Sequence, residues 1–296
     1  MKKSKNRLDS EKKQYDSNKM AESRKQITVL LFTIIFVLLF GLILKTNNVG
    51  EINISPKSLV DIYNEYDGTP GFDHWLEYAT HYDVHLQQLL ENIPKSNTFR
   101  MLEIGVQSGG SVEVWKSYFS ARPLYYVGMD IQPRCKRSED ISQNIFIEIG
   151  SQTSPEDLIR ICKKHGPFDF IVDDGGHTYE MMKTAVNTLF PNDLCMTRNS
   201  LYALEDMHTM AIASYCSVTT DIPSIPAEIF RKMHYYWYAQ KYFRVSKRFK
   251  KTDWDFTDEW ANSVDSIALY DSMMFIHRGN GTRKMTRIRK GKFMPY

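Results

Sequence analysis

From Phe99 onward, short apolar runs alternate with stretches of helical periodicity, and this alternation constrains the fold more than any other feature. The strand candidates are 99–104 (FRMLEI), 124–130 (LYYVGMD), 144–149 (NIFIEI), 167–173 (PFDFIVD) and 200–205 (SLYALE). Helical patterns lie between them near 111–119, 154–164 and 178–190. Strands separated by helices need crossover connections, so they predict a parallel sheet covered on both faces. One helix start is explicit: Ser154-Pro155-Glu156-Asp157 supplies a capping hydroxyl, a proline at the first helical position and an acid three residues after the cap. Val264–Tyr270 and Ser272–His277 leave no room for a helix between them and predict an antiparallel hairpin at the sheet edge. Trp75, Leu76, Ala79, Tyr82, Leu86, Leu89 and Leu90 recur at helical spacing, so an amphipathic helix is expected over about 73–91. The fold class is therefore α/β, with a mostly parallel sheet and a C-terminal antiparallel hairpin.

Residues 27–44 (ITVLLFTIIFVLLFGLIL) carry no charge over 18 positions. About 17–25 apolar residues span a bilayer as a helix, because backbone polar groups there must be satisfied within the segment. Nine of the 38 basic residues and four of the 35 acidic ones lie in the first 25 positions. That segment is therefore +5 and the rest of the chain −2. A basic flank before the span predicts a cytoplasmic tail (1–26), a signal anchor (27–44), a stem (45–72) and a lumenal or extracellular domain (73–296). A single-pass type II protein of the Golgi or endoplasmic reticulum, held in the membrane by one N-terminal helix, is the expected topology. The sequons Asn53-Ile54-Ser55 and Asn280-Gly281-Thr282 fit that orientation. Cys135, Cys162, Cys195 and Cys216 follow the span and can pair there, though spacing gives no connectivity. A net charge of +3 argues against nucleic acid as a partner.

The first strand runs into Gly105-Val106-Gln107-Ser108-Gly109-Gly110-Ser111, a turn whose glycines allow a sharp bend and close approach to a ligand. Ser111 can cap the helix that follows. Gln107 replaces the glycine that a dinucleotide fingerprint requires, and no Gly-Lys-Ser/Thr follows, so neither a pyrophosphate site nor a P-loop is indicated. Asp130 ends the second strand, where an acid can bond the ribose of a nucleoside. The alternative for this pair is a helix-capping loop and a solvated acid. The fourth strand ends Asp173-Asp174-Gly175-Gly176-His177 and the fifth ends Glu205-Asp206-Met207-His208. Four carboxylates at neighbouring strand ends would repel unless a cation lay between them, and Mg²⁺ takes a few carboxylates plus water or substrate oxygens. His177 is placed to act as general base toward a hydroxyl. The simpler reading is a helix-capping Asp and an exposed histidine. His208 reads as a supporting residue. The stretch 209–243 is rich in aromatic residues (His234, Tyr235, Tyr236, Trp237, Tyr238, Tyr242), which serve either as packing or as faces for sugar rings.

The segments LEIGVQSGGSVEVW, GMDIQPRCK, FDFIVDDGGHTYEMM, LYALEDMHT and SIALYDSMMFI resemble metal-dependent O-methyltransferases that act on macrolide sugars, and related proteins labelled rhamnosyl O-methyltransferase or cephalosporin hydroxylase. The likeness covers about 97–278. It implies a Rossmann-like class I methyltransferase fold, S-adenosylmethionine as donor, Mg²⁺ as metal, and a sugar, glycan or polyol hydroxyl as acceptor. It further implies Asp174, Glu205 and Asp206 as metal ligands, His177 as base, and Glu103, Gly105, Asp130, Gln152 and Asp173 around the donor. Two departures stand out. Gly150-Ser151-Gln152 replaces the family's Gly-Asp-Gln, and Met196-Thr197-Arg198-Asn199 replaces its Pro-Gly-Gly. These departures keep a second reading open, an anchored protein that retains the fold and binds without catalysis. An iron- and 2-oxoacid-dependent hydroxylase is excluded, since its two-His-one-carboxylate site belongs to another architecture.

Overall fold

The computed structural model describes residues 57–212, 224–239 and 258–281, together with Met20 and Tyr215. The 27–44 span, Asn53, Cys216 and much of the aromatic-rich 209–243 stretch lie outside the described residues. Among the described residues, no helix is long and apolar enough to cross a membrane.

The elements are α1 (Leu59–Glu65), α2 (Leu76–Glu91), β1 (Phe99–Ile104), α3 (Gly110–Tyr118), β2 (Leu124–Asp130), β3 (Ile145–Ile149), α4 (Pro155–His165), β4 (Phe168–Asp173), α5 (Tyr179–Leu189), β5 (Met196–Leu204), α6 (Ile225–Ala239), α7 (Asp258–Ser263), β6 (Val264–Tyr270) and β7 (Met273–Arg278). The seven strands form one sheet in the order β3-β2-β1-β4-β5-β7-β6. Strands β1 to β5 pair in parallel, and β7 joins β5 and β6 antiparallel. Order reverses between β1 and β4, and in open sheets ligands bind at such a switch point, beyond the carboxyl ends of the strands.

Two apolar layers flank the sheet. On one face Leu158, Ile161 and Cys162 of α4 and Met182, Ala185, Val186 and Leu189 of α5 pack on Leu102, Ile171 and Tyr202. On the other, Leu59 and Ile62 of α1, Tyr82 and Leu86 of α2, and Val112 and Trp115 of α3 pack on Met101, Phe170 and Phe275. Each fully buried Leu, Ile or Phe contributes roughly 1.5–3 kcal/mol over an exposed one. The α4 cap forms as its sequence dictates: the Ser154 hydroxyl accepts from Asp157 N at 3.1 Å, with Pro155 in the first turn.

Three local expectations change. Helix α1 lies inside the stretch read as stem, and Leu59 is wholly buried against the α2–α3 layer, so the folded body begins well before residue 73. Helix α3 starts at Gly110 after Gly109 in the left-handed region (φ 90°). Ser111 turns inward to Glu103 instead of capping. Met196–Asn199, outside the strand expected at 200–205, belongs to β5. Pairing with β4 begins at Phe168–Met196 and shifts register before Phe170–Leu201, which absorbs the extra residues as a bulge. Cys162 and Cys195 form a disulfide across the α4–β4–β5 layer, and Cys135 is a buried free thiol.

Candidate active site

A cavity of about 620 Å³ opens at the carboxyl edge of the sheet, over the switch point. Its donor side is the β1–α3 turn. Gly105 has φ 97°, and a Cβ there would lie 2.0 Å from the carbonyl oxygen of Asp174. The turn thus sits directly on the end of β4, and only glycine allows that approach. Asp130 also lines the cavity. Its Oδ2 accepts from Val106 N (3.0 Å) and Gln107 N (2.9 Å), and its Oδ1 accepts from Gln132 N (2.8 Å). These bonds fix the carboxylate at the rim and shape the turn around it. Gln152 spans from β3 to β4: its amide N–H donates to Asp173 Oδ1 (2.5 Å), and its Oε1 accepts from Gly176 N (2.9 Å). Ser151 lies at the cavity wall, where its hydroxyl pairs with that of Thr153.

Glu103 and Asp173, expected around the donor, do not line this cavity. Glu103 is fully buried beneath the turn and accepts from the Ser111 hydroxyl (2.9 Å), Trp115 Nε1 (3.0 Å) and the Tyr126 hydroxyl. Burial raises its pKa, while those donors oppose the rise. Asp173 is buried under Gln152 and accepts from the Tyr202 hydroxyl at 2.9 Å. Burial pushes its pKa up to about 7. Both acids hold the cavity floor together from below.

The acceptor side gathers the second set of residues. Asp174, His177 and Asp206 converge, with His177 Nε2 3.7 Å from both Asp174 Oδ1 and Asp206 Oδ2. His177 (φ 56°) and Asp206 (φ 53°) both adopt left-handed backbone, a strain that non-glycine residues carry mainly where geometry is functionally constrained. His177 Nδ1 is buried without a hydrogen-bond partner. Burial lowers the His177 pKa, which keeps the imidazole neutral. Burial, with Glu205 nearby, drives the Asp174 pKa well above the carboxylate range. Glu205 lies deeper, 1% exposed, where the Tyr82 hydroxyl donates to Oε1. His208 is exposed and bonded through Nδ1 to the Ser272 hydroxyl, so it stays outside the cavity.

Three contributors escaped the sequence reading. His74 precedes α2 and sits between the carboxylates, with Nε2 3.3 Å from Asp174 Oδ2 and Nδ1 3.3 Å from Glu205 Oε2. Burial lowers its pKa, but the carboxylates outweigh burial and raise it well above the histidine range. Tyr78 and Tyr82, four apart on α2, present hydroxyls to Asp206 (2.8 Å) and Glu205. A tyrosine in a buried stripe needs a partner for its hydroxyl, and that was the available signal.

The donor set suits a hard divalent cation. Asp174 and Asp206 line the cavity, Glu205 lies deeper beside Asp174 and His74, and oxygen ligands of this kind are what Mg²⁺ prefers. A buried carboxylate with a strongly raised pKa is one for which a cation would remove the penalty.

No family model matches the chain. A demethylmacrocin O-methyltransferase from Streptomyces fradiae is 32% identical over 143 residues, 46% of this chain and 32% of that protein. A mycinamicin VI 2''-O-methyltransferase from Micromonospora griseorubida is 35% identical over 146 residues, 47% of this chain and 33% of that protein. Both relatives are O-methyltransferases. A third comes from Streptomyces olivaceus, the 8-demethyl-8-(2-methoxy-alpha-L-rhamnosyl)-tetracenomycin-C 3'-O-methyltransferase, 31% identical over 51% of this chain and 36% of that protein. The chain thus spans about a third of the length of the curated relatives it matches. The structure of MycE methyltransferase from the mycinamycin pathway, in complex with Mg and SAH, superposes with a TM-score of 0.58 at 23% identity, over 76% of this chain and 54% of that one. This likeness establishes a Rossmann-like methyltransferase fold with a mixed sheet.

Proposed function

We propose that this protein transfers a methyl group from S-adenosylmethionine to a hydroxyl of a sugar, glycan or polyol, with a divalent cation such as Mg²⁺ and with His177 as general base. The observation that carries the reading is the cavity itself. It sets the Gly105 turn and Asp130 against Asp174, His177 and Asp206 in one space. A volume near 620 Å³ lies within the range of roughly 300–1,000 Å³ typical of small-molecule sites. The sequence relatives are O-methyltransferases, one of them named for a rhamnosyl-bearing tetracenomycin, and the MycE structures hold Mg and SAH, which supports the same donor and metal here.

In this reading Gly105, Asp130 and Gln152 shape the donor end, and Asp174, Glu205 and Asp206 hold the cation. When bound, S-adenosylmethionine supplies an electrophilic methyl group and the cation supplies charge that lowers the acceptor hydroxyl's pKa. The hydroxyl proton passes to Nε2 of His177, neutral because burial disfavours its charged form. Glu103 and Asp173 keep the turn and the β4 end in register from beneath. Ser151 offers no carboxylate to an adenine amine, so adenine would be bound chiefly by shape.

The domain would face the lumen of the secretory pathway, anchored by residues 27–44 as a type II protein. Support comes from the uncharged run, its basic flank, and the Cys162–Cys195 disulfide, a bond that persists in oxidising compartments. The test uses full-length protein in detergent. Donor binding by calorimetry, and mass shifts of 14 Da on a glycan panel that disappear with chelator or with His177→Ala, are the expected results. A folded chain that binds no donor would leave the non-catalytic, anchored binding protein as the better reading.

A further inference from the structure

His74 is a buried group in the carboxylate cluster that the chemistry above does not use. Its side chain is 7% exposed, and both ring nitrogens face acids, Asp174 Oδ2 and Glu205 Oε2 each at 3.3 Å. Nδ1 makes no hydrogen bond. The ring is held by its neighbours: Phe72 stacks on it at 4.6 Å and 13°, and Tyr63 meets it edge-on at 6.0 Å. Ligand atoms of His74, Asp174 and Glu205 lie within 4.8 Å of one another. In an octahedral site with bonds of about 2.0–2.1 Å, neighbouring ligand atoms are roughly 3 Å apart and opposite ones roughly 4 Å. The trio is somewhat wider than that, so a cation would draw its ligand atoms together.

We propose that His74 gives up one ring proton to solvent and coordinates the divalent cation through that nitrogen, beside Asp174 and Glu205, so that the site is a nitrogen-and-oxygen site and not an all-carboxylate one. This rests on the reading that the carboxylate cluster holds a cation. Asp174 is shared with the cavity-facing group of His177 and Asp206, which places the cation beside the base. Tyr82, whose hydroxyl bonds Glu205, orients that ligand from behind. A nitrogen ligand shifts preference from Mg²⁺ toward Mn²⁺ and later divalent metals. It also ties the metal to the strap at 70–74. That strap lies against the start of α3, where a Cβ on Gly110 would meet the Gly71 carbonyl oxygen at 2.3 Å. Metal binding would thereby secure the strap over the donor turn.

The test is pulsed electron paramagnetic resonance of the full chain loaded with Mn²⁺ alone. The expected spectrum shows ¹⁴N coupling from a directly bound imidazole, retained in His177→Ala and lost in His74→Gln, with circular dichroism to confirm folding. If His74→Gln does not fold, coupling that persists in both His177→Ala and His208→Ala still assigns the nitrogen to His74. Bound Mn²⁺ without nitrogen coupling overturns the inference and leaves an all-oxygen site. Coupling that disappears with His177→Ala moves the ligand to His177 and overturns it as well. No Mn²⁺ binding at all overturns both this inference and the metal reading beneath it.

Discussion

Gly105→Ala tests the contact on which the donor site is built. The added methyl would lie 2.0 Å from the Asp174 carbonyl oxygen and 2.7 Å from its carbonyl carbon, where ordinary contact begins near 3.4 Å. The ends of β1 and β4 would have to part by more than 1 Å. They are tied by Asp174 N to Ile104 O at 3.0 Å, and the turn is tied to β2 by Gly105 N to Met129 O at 2.8 Å. Left-handed backbone costs a non-glycine residue roughly 1–2 kcal/mol, and overpacking adds about 1–3 kcal/mol. The expected loss is therefore about 2–5 kcal/mol, against a total stability of roughly 5–15 kcal/mol for a typical domain. Because Asp174 moves with the turn, donor and metal sites suffer together, and a 1 Å misplacement alone can cost about 10²-fold in rate. Urea unfolding and calorimetric donor titration of the full chain measure both effects. Gly279→Ala is the control, since its Cβ would meet nothing nearer than 3.4 Å. A Gly105→Ala protein of unchanged midpoint and unchanged donor affinity would refute the account of the turn.

Further outcomes follow from individual side chains. His177→Ala should lower kcat by about 10²–10⁴-fold while donor affinity is retained, as measured by steady-state kinetics beside calorimetry. The acid limb of kcat/KM should fall below pH 6.5, because burial depresses His177 and the neutral base therefore survives to lower pH. A limb above that value would contradict the assignment. Glu148 is held down to about 2 despite burial, by Lys164, His165 and Arg160. Its contribution to stability should be complete above about pH 4.5 and lost as pH falls toward 2, and Glu148→Gln should flatten that part of the urea-midpoint profile. Reducing Cys162–Cys195 opens a loop of 33 residues, which should cost roughly 3–4 kcal/mol in a denaturation series with and without dithiothreitol.

The architecture was legible because its signals are local. Strand ends at Ile104, Asp130, Asp173 and Leu204 follow from apolar runs broken by glycine or acid, and the Ser154 cap from a four-residue pattern. The convergence of Asp174, His177 and Asp206 follows from strand adjacency, since β4 and β5 are neighbours. What was illegible depends on side-chain direction or on distant packing. Glu103 and Asp173 each precede a residue that lines the cavity, Ile104 and Asp174, and the alternation of side chains turns them into the core. Ser111 resembled a cap, yet a buried carboxylate claimed its hydroxyl. His74 carries no periodic signal, and only the folding of 70–74 across the turn delivers it between Asp174 and Glu205. Cysteine pairing likewise required the α4–β5 contact, which spacing does not encode.

The central claim is that this fold binds the methyl donor in the cavity over the β1–β4 switch point. Calorimetric titration of the full chain with S-adenosylmethionine, in the presence of Mg²⁺, tests it most directly. The account requires saturable one-site binding, competed by S-adenosylhomocysteine and weakened at least tenfold in Gly105→Ala. A folded chain with no measurable donor binding would contradict it.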